Sequence, residues 1–512
     1  MKRNFALFVL CSIAVPSLAW AGGFEIPDNG TEALGRGGAF VAKADDGTAM
    51  EYNVAGLARQ DGFRVYVGAN LIFHDVAFTA AGSYDGGTNP SMAPPYAGQP
   101  YPTVHDTGGP FPPVPFLSLS YKLPERPNAP WLHRFTIGFA VYAPPSVGTH
   151  NYGVGSNDTT VSATDANGKM YMASNPPPAT VTLANGMVAP NPARYSLASA
   201  NLLIVTPTLA LAAEVTKWLD LGIAGQIVYA NLALSAANYT PLGPSSCGQS
   251  GELAACDAYA LVNVSGMTGA LLLSAMAHPT SWLDLGATVS TGADINASGS
   301  IHAVPAPNSP ANLPDYNAGF TTHLPWWARL GGRYIARRAD GTEQGDLELD
   351  LTYENWSSEK TDTLTVPDFP LSQGGNGIVA GLIHNYRDTY GVRLGGAYNH
   401  RVSDKIELTG RLGVYFDSAA THYQDTNIDF NTMAKYAGTI GGGLRYKGFT
   451  VNLAYAYVYS PDRNVTNSEL VALSATDGTP VGRDKIITVG NGLYQASTQM
   501  LSLALKFETA KF

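Results

Sequence analysis

Between Phe449 and Tyr459 every second residue is Phe, Val, Leu or Tyr, and the residues between are Thr450, Asn452, Ala454, Ala456 and Val458. The same period returns where Leu347, Leu349, Leu351 and Tyr353 alternate with Glu348, Asp350, Thr352 and Glu354, and where Leu501, Leu503, Leu505 and Phe507 alternate with Ser502, Ala504, Lys506 and Glu508. A period of two sends successive side chains to opposite faces of a strand, so each segment has one apolar face and one polar or charged face. In a soluble sandwich the apolar face would meet a second sheet and the charged face would meet water. In a transmembrane barrel the apolar face meets lipid and the charged face lines the lumen, because an Arg or Lys turned to lipid at mid-membrane costs ~2–4 kcal/mol.

Alternating segments recur through most of the chain: 62–80, 114–123, 133–142, 195–215, 218–240, 257–277, 282–302, 320–337, 346–359, 385–400, 405–421, 433–446, 449–460 and 493–508. Long and short connections alternate between them, as in outer-membrane barrels with long external loops and short periplasmic turns. The segments exceed the ~9–11 residues that span a bilayer as a tilted strand, so they project beyond it. Trp218-Leu219-Asp220-Leu221-Gly222 recurs as Trp282-Leu283-Asp284-Leu285-Gly286, each copy opening a strand after a tight turn. A Trp at that repeated level suits an interfacial aromatic girdle. We therefore expect an all-β chain: a 14-stranded antiparallel transmembrane β-barrel.

Two stretches precede the strands. Residues 1–21 carry Lys2 and Arg3, an apolar run from Phe5 to Ala14, Pro16 and the small-residue pattern Ala19-Trp20-Ala21, which together predict a cleavable signal peptide. Its loss takes the formal net charge from −10 to −12, which excludes nucleic acid as a partner. Beyond it no apolar run reaches the length of a membrane-spanning helix. Residues 22–61 are rich in Gly and Ala without alternation, a pattern for short helical turns and bends packed inside a larger body. The barrel is assigned to 62–512. Cys247 and Cys256 share one external loop and in an oxidising compartment are expected to form a disulfide. We expect no metal, no cofactor and no enzymatic activity.

At the level of motifs the chain resembles the FadL-type outer-membrane transporters of long-chain fatty acids and aromatic hydrocarbons. The resemblance rests on Gly23-Phe24, the Leu34-Gly35-Arg36-Gly37-Gly38-Ala39 segment, Ala44-Asp45-Asp46 and Asn53-Val54-Ala55-Gly56-Leu57-Ala58. It continues in Tyr142-Ala143-Pro144-Pro145, Tyr353-Glu354-Asn355-Trp356-Ser357, Tyr459-Ser460-Pro461-Asp462-Arg463 and Asn491-Gly492-Leu493-Tyr494. It implies that 22–61 is an N-terminal hatch plugging the lumen, with Gly35, Arg36, Asp45, Asp46, Asn53, Ala55 and Gly56 as its signature. Val54 departs from the family, which has Pro there.

The resemblance further implies passive uptake of hydrophobic small molecules across the bacterial outer membrane, through a pocket beside the hatch and a sideways exit into lipid at a kink in strand three. Phe24 would then reach into the ligand pocket, although on its own it reads as a loose terminus. Pro144 and Pro145 lack ladder N–H groups and either start a long loop or hold the wall gap open. Asn53 fits a structural turn better than a ligand contact. Arg329, Arg333, Arg393, Arg411, Arg445, Glu348, Asp350, Glu354 and Glu407 fall on lumen phases, where buried charges need partners. The loops after strands five and seven are short and rich in Pro, Ser and Asn, so substrate preference is not inherited with the resemblance. We expect a monomer whose partners are membrane lipid and a hydrophobic ligand. A general diffusion porin is the alternative, and a barrel enzyme lacks a nucleophile and base in a recognisable context.

Overall fold

The structure is a computed structural model that describes residues 29–87, 89–106, 114–143, 149–152, 163–164, 170–171, 180–197, 199–239, 257–304, 314–370, 376–430, 432–470 and 489–509. The wall strands are β1 Phe63–Ala80, β2 Val114–Lys122, β3 Phe135–Tyr142, β4 Ser199–Glu214, β5 Leu219–Tyr239 and β6 Asp257–Thr280. Next come β7, in two pieces (Leu283–Ser290 and Ala293–Val304), and β8, also in two (Tyr316–Leu324 and Trp327–Arg337). β9 Glu343–Glu354, β10 Thr389–Ser403, β11 Ile406–Asp417, β12 Lys435–Tyr446, β13 Phe449–Val465 and β14 Gly492–Glu508 complete the set. Each pairs antiparallel with its neighbour, and β1 pairs with β14 from Arg64↔Glu508 to Ala80↔Gly492, closing a barrel of 14 strands.

Alternation becomes inside and outside. On β13, Phe449, Val451, Leu453, Tyr455, Tyr457 and Tyr459 are at least 39% exposed, whereas Asn452, Ala454, Ala456 and Val458 are buried. Phe449 and Tyr459 mark the two ends of this outward apolar row. Ten steps of ~3.4 Å, tilted by ~40°, cover about 26 Å, which matches the height of a barrel's lipid-facing band. Trp218 and Trp282 are exposed at the level where β5 and β7 begin, beside the short turns. No helix among the described residues is long and apolar enough to cross a membrane.

Two features depart from simple alternation. In β7 the buried residues run Thr288, Ser290, then Ala293, Ile295, Ala297; the phase flips at Thr291-Gly292, where Gly292 has φ 72°. Directly opposite, β8 is broken at Pro325-Trp326, and its inward phase changes from Ala318 and Phe320 to Arg333 and Ile335. Pro325 has no N–H to give to a ladder, so a run that the sequence presents as one strand becomes two. A hairpin of Thr361–Pro370 and Asn376–Ile383, absent from the expected strands, pairs with the first piece of β8 through Gly319↔Thr365 and extends the wall on the external side.

Inside the barrel lies the segment from Asn29 to Gln60. It forms the short helices α1 Thr31–Gly35 and α2 Ala49–Tyr52 and a 3-10 turn Val54–Leu57, every residue of which is buried.

Candidate functional site

The luminal segment is held by the inward face of β9. Arg36, fully buried, donates from Nη1 to Asp346 Oδ2 at 3.0 Å and from Nη2 to Glu348 Oε2 at 3.1 Å. Glu348 Oε1 accepts from the backbone N–H of Ala42 at 2.6 Å, and Asp350 Oδ2 accepts from Phe40 and Val41 at 2.7 and 2.9 Å. The carboxylates that alternate with leucine along β9 thus receive the unpaired N–H groups of an irregular segment, as buried acids and buried amides both require. Asn53 fixes the far end: its amide donates to Val41 O at 2.8 Å and Ala275 O at 3.1 Å, and its carbonyl oxygen accepts from Ala55 N. At Gly56 a Cβ would lie 2.1 Å from Ala44 O, so only glycine fits.

Asp45 and Asp46 part company. Burial pushes the Asp45 carboxyl up, but Lys43 and Lys506 outweigh it and hold that group well below the usual carboxylate range. Burial together with Glu32 pushes Asp46 up to about 6, even though Thr48 donates to its Oδ1 from both N and Oγ1. In α2, Glu51 is pushed up to about 7 by burial, against the pull of Arg329.

The Trp-Leu-Asp-Leu-Gly repeat serves more than the girdle. Its two aspartates flank one histidine: His278 lies 3.0 Å from Asp220 and 2.6 Å from Asp284. Arg59, from the end of the luminal segment, meets Asp220 at 2.6 Å, and Arg333 meets Asp284 at 3.3 Å. Its two glycines let backbone meet backbone. A Cβ on Gly222 would sit 2.4 Å from Ala55 N, and one on Gly286 would sit 2.3 Å from Val41 O. Below the segment, on the side of the short turns, a cavity of about 320 Å³ is lined by Lys43, Asp45, Arg59, His278, Arg445 and Lys506 among others.

The opposite, external half of the lumen holds two apolar clusters beside buried polar groups such as the His384–Asp362 pair, Asp429 and Arg463. Val228, Leu232, Val264, Ile295, Phe320 and Val366 form one buried cluster on β5 to β8 and the added hairpin, and Phe78, Tyr84, Tyr152 and Tyr494 belong to another. At the level of the luminal segment, β3 pairs with β4 up to Tyr142↔Thr206, and pairing with β4 is described again at Thr149↔Asn201. The β2–β3 ladder ends at Leu117↔Val141 among the described residues. Asn29 donates to Ala143 O at 2.8 Å, just past the end of β3.

Of the residues singled out in the sequence, Gly35, Arg36, Asp45, Asp46, Asn53, Ala55 and Gly56 are all brought together in the lumen. Phe24, Pro144, Pro145, Cys247 and Cys256 lie outside the described residues, as does 1–28. The sequence reading missed Asn29 and Glu51. The signal for Glu51 was present: it is a lone acid in the otherwise uncharged run Gly47 to Ala58.

A closed barrel with an apolar outer band, girdling aromatics and an occupied lumen defines an outer-membrane transport protein. Residues 178–491, more than half of the chain, match the family described as outer membrane protein transport protein (OMPP1/FadL/TodX), and the chain belongs to that family. Among solved structures, a FadL homologue of Pseudomonas aeruginosa aligns with TM-score 0.64 at 16% identity, over 95% of this chain and 100% of that one. The P. putida toluene transporter TodX aligns with TM-score 0.59 at 14% identity, over 96% and 100%. The Ralstonia pickettii toluene transporter TbuX aligns with TM-score 0.54 at 14% identity, over 94% and 98%. No curated protein matches the chain by sequence. The protein is a transporter of the outer membrane, not an enzyme.

Proposed function

We propose that the protein takes up hydrophobic small molecules, long-chain fatty acids or aromatic and aliphatic hydrocarbons, by passive passage through the external half of the lumen to a pocket beside a hatch formed by 22–61, and releases them sideways into lipid at a kink in β3. The observation that carries this is the contrast between the two ends of the lumen. The external end contains two extended clusters of aliphatic and aromatic side chains, while the cavity at the other end is lined mainly by charged side chains. An apolar solute gains about 0.8 kcal/mol per buried CH₂ and would lose it by moving down into the charged cavity. Moving through the wall into the bilayer keeps it. The neighbours of known cargo, TodX and TbuX, are toluene transporters. In this scheme Phe24 and the prolines Pro144 and Pro145 gate the route, the hatch stays seated through its contacts with β9, Cys247 and Cys256 close one external loop, and each barrel works as a monomer in contact with outer-membrane lipid.

Uptake of labelled toluene, oleate and hexadecane by cells with and without the protein tests the proposal. Faster entry of one of these with little ion conductance in a planar bilayer supports it. Large steady conductance with no gain in apolar uptake would identify a general diffusion porin instead.

A further inference from the structure

The charges around the cavity of about 320 Å³ below the luminal segment do not balance. Lys43, Arg59, Arg64, Arg333, Arg445 and Lys506 line it against Asp45, Asp220, Asp284 and Glu508. His278 adds a seventh cation. Its Nδ1 faces an oxygen of Asp284 and its Nε2 an oxygen of Asp220, and an ionised carboxylate has no proton to give, so both ring nitrogens carry one. The lining thus holds three positive charges in excess, in a chain whose formal net charge is −10.

The lining acids are already shared. Asp220 lies between Arg59 and His278, at 2.6 and 3.0 Å, and Glu508 between Arg64 and Lys506, at 3.1 and 2.8 Å. Lys43 and Arg333 also meet acids behind the lining, Glu32, Glu343 and Asp346. The surplus therefore gathers on the side of β12, β14 and β1. Arg445, Thr450 and Lys506 stand in one cross-strand row, and the Arg64↔Glu508 row lies two residues on. Arg445 makes no ion pair among the described residues; its Nε donates to Lys447 O at 3.4 Å.

The side chains of Lys506 and Arg64 are only 14% and 16% exposed. Walls of low dielectric focus the field of such charges into the cleft they line, and a shielded charge without compensation is costly. What compensates must be anionic and must reach several walls at once. A halide offers one spherical charge. An oxyanion with two or more charges offers acceptor oxygens in several directions, each able to take a charge-assisted hydrogen bond from a guanidinium or ammonium.

We propose that this cavity binds a small multivalent oxyanion, of the phosphate or dicarboxylate class, between Arg64, Arg445 and Lys506 of the wall and Lys43 of the luminal segment. Shared by both bodies, the anion binds the seated segment better than a displaced one and stabilises it by mass action. The site is independent of the apolar route, so either reading can fail alone.

The test titrates the full-length protein, in a phosphate-free maltoside detergent at neutral pH and constant ionic strength, with inorganic phosphate, succinate or chloride. Calorimetry is expected to show one saturable site per chain for phosphate or succinate and none for chloride, and exchange of the Lys43–Gln60 amides should slow as that site fills. Either probe ahead of chloride supports the site, and the stronger of the two names its class. Arg445→Gln leaves no acid without its partner and should weaken binding about 10-fold, the loss of one charge-assisted hydrogen bond; Arg445→Lys should recover part of it. Chloride equal to both probes, binding unchanged in Arg445→Gln, or a filled site with exchange no slower overturns the proposal. The comparison with chloride on the unaltered protein decides the matter even if neither variant folds.

Discussion

Arg36 and Glu348 meet at 3.1 Å in the interior of the barrel, with both side chains wholly shielded from solvent. One comes from the irregular luminal segment and the other from the acidic inward face of β9. Glu348 also accepts from Ala42 N, and Arg36 also engages Asp346 and Ala39 O. Removing one member leaves its partner charged and buried, which costs about 3–5 kcal/mol. Arg36→Met should therefore unseat the hatch without opening the barrel. The expected result is a rise in single-channel conductance and new protease cleavage between residues 29 and 60, with strand content by circular dichroism unchanged. A variant as tight as the natural protein would show that the pair is dispensable.

The glycines of the repeat set a second expectation. At Gly222 even a methyl group would collide with hatch backbone, Ala55 N at 2.4 Å and Val54 C at 2.6 Å, and backbone cannot swing away as a long side chain can. Gly222→Val should force the 3-10 turn out of its seat and destabilise the protein by a few kcal/mol, in the range of overpacked cores at about 1–3 kcal/mol or above. Gly225, three residues along β5 and on its outward face, has open space around a would-be Cβ. Gly225→Ala serves as the control and should leave the melting temperature nearly unchanged.

These two sites show what the sequence made legible. The strands and their inward and outward faces followed from a period of two, because each strand's alternation is local. Arg36 and Asn53 stood out in a motif, and their side chains bond to β9 and β6. The Trp of the repeat was readable as a girdle residue, but its Asp and Gly were not, since their meaning lies in His278, Val41 and Ala55, which only closure of the barrel brings near. The phase flip at Thr291-Gly292 was hidden for a related reason. It depends on Pro325 breaking the facing strand, and no single stretch contains both. Glu51 and Arg329 are 278 positions apart in the chain, so their proximity is a property of the plugged lumen alone.

Buried carboxyls in the hatch predict a pH dependence with a definite sign. Glu51 titrates at about 7 in the folded protein against 4.5 when exposed, and Asp46 at about 6 against 3.8. The seated hatch therefore binds these protons more tightly than a displaced one. The favourable contribution is fully present below the exposed values and is lost as pH rises through about 6 and 7. For Glu51 the difference corresponds to roughly 3 kcal/mol. Hydrogen exchange of the Thr31–Leu57 amides, corrected for intrinsic rates, should show protection falling between mildly acidic and mildly alkaline pH. Glu51→Gln should remove the part of that fall that lies between about pH 4.5 and 7 and leave the part due to Asp46, between about 3.8 and 6. Protection that rises with pH would contradict the assignment.

The outward face supplies the last expectation and separates a membrane barrel from a soluble one. Leu453 is 53% exposed near the middle of the row between Phe449 and Tyr459. On a soluble protein, replacing so exposed a leucine with arginine would be close to neutral, within about 0.5 kcal/mol. In a lipid-facing band the same change moves a guanidinium into hydrocarbon and costs ~2–4 kcal/mol at the midplane. Leu453→Arg should accordingly lower the unfolding midpoint in urea when the protein is folded into phospholipid vesicles. Phe449→Arg, at the end of the row, should lower it by at most about 1 kcal/mol, because the penalty fades toward the interface. Equal, small effects at both positions would mean that this face never meets the hydrocarbon core. A graded loss from Phe449 to Leu453 would locate the membrane along β13 residue by residue.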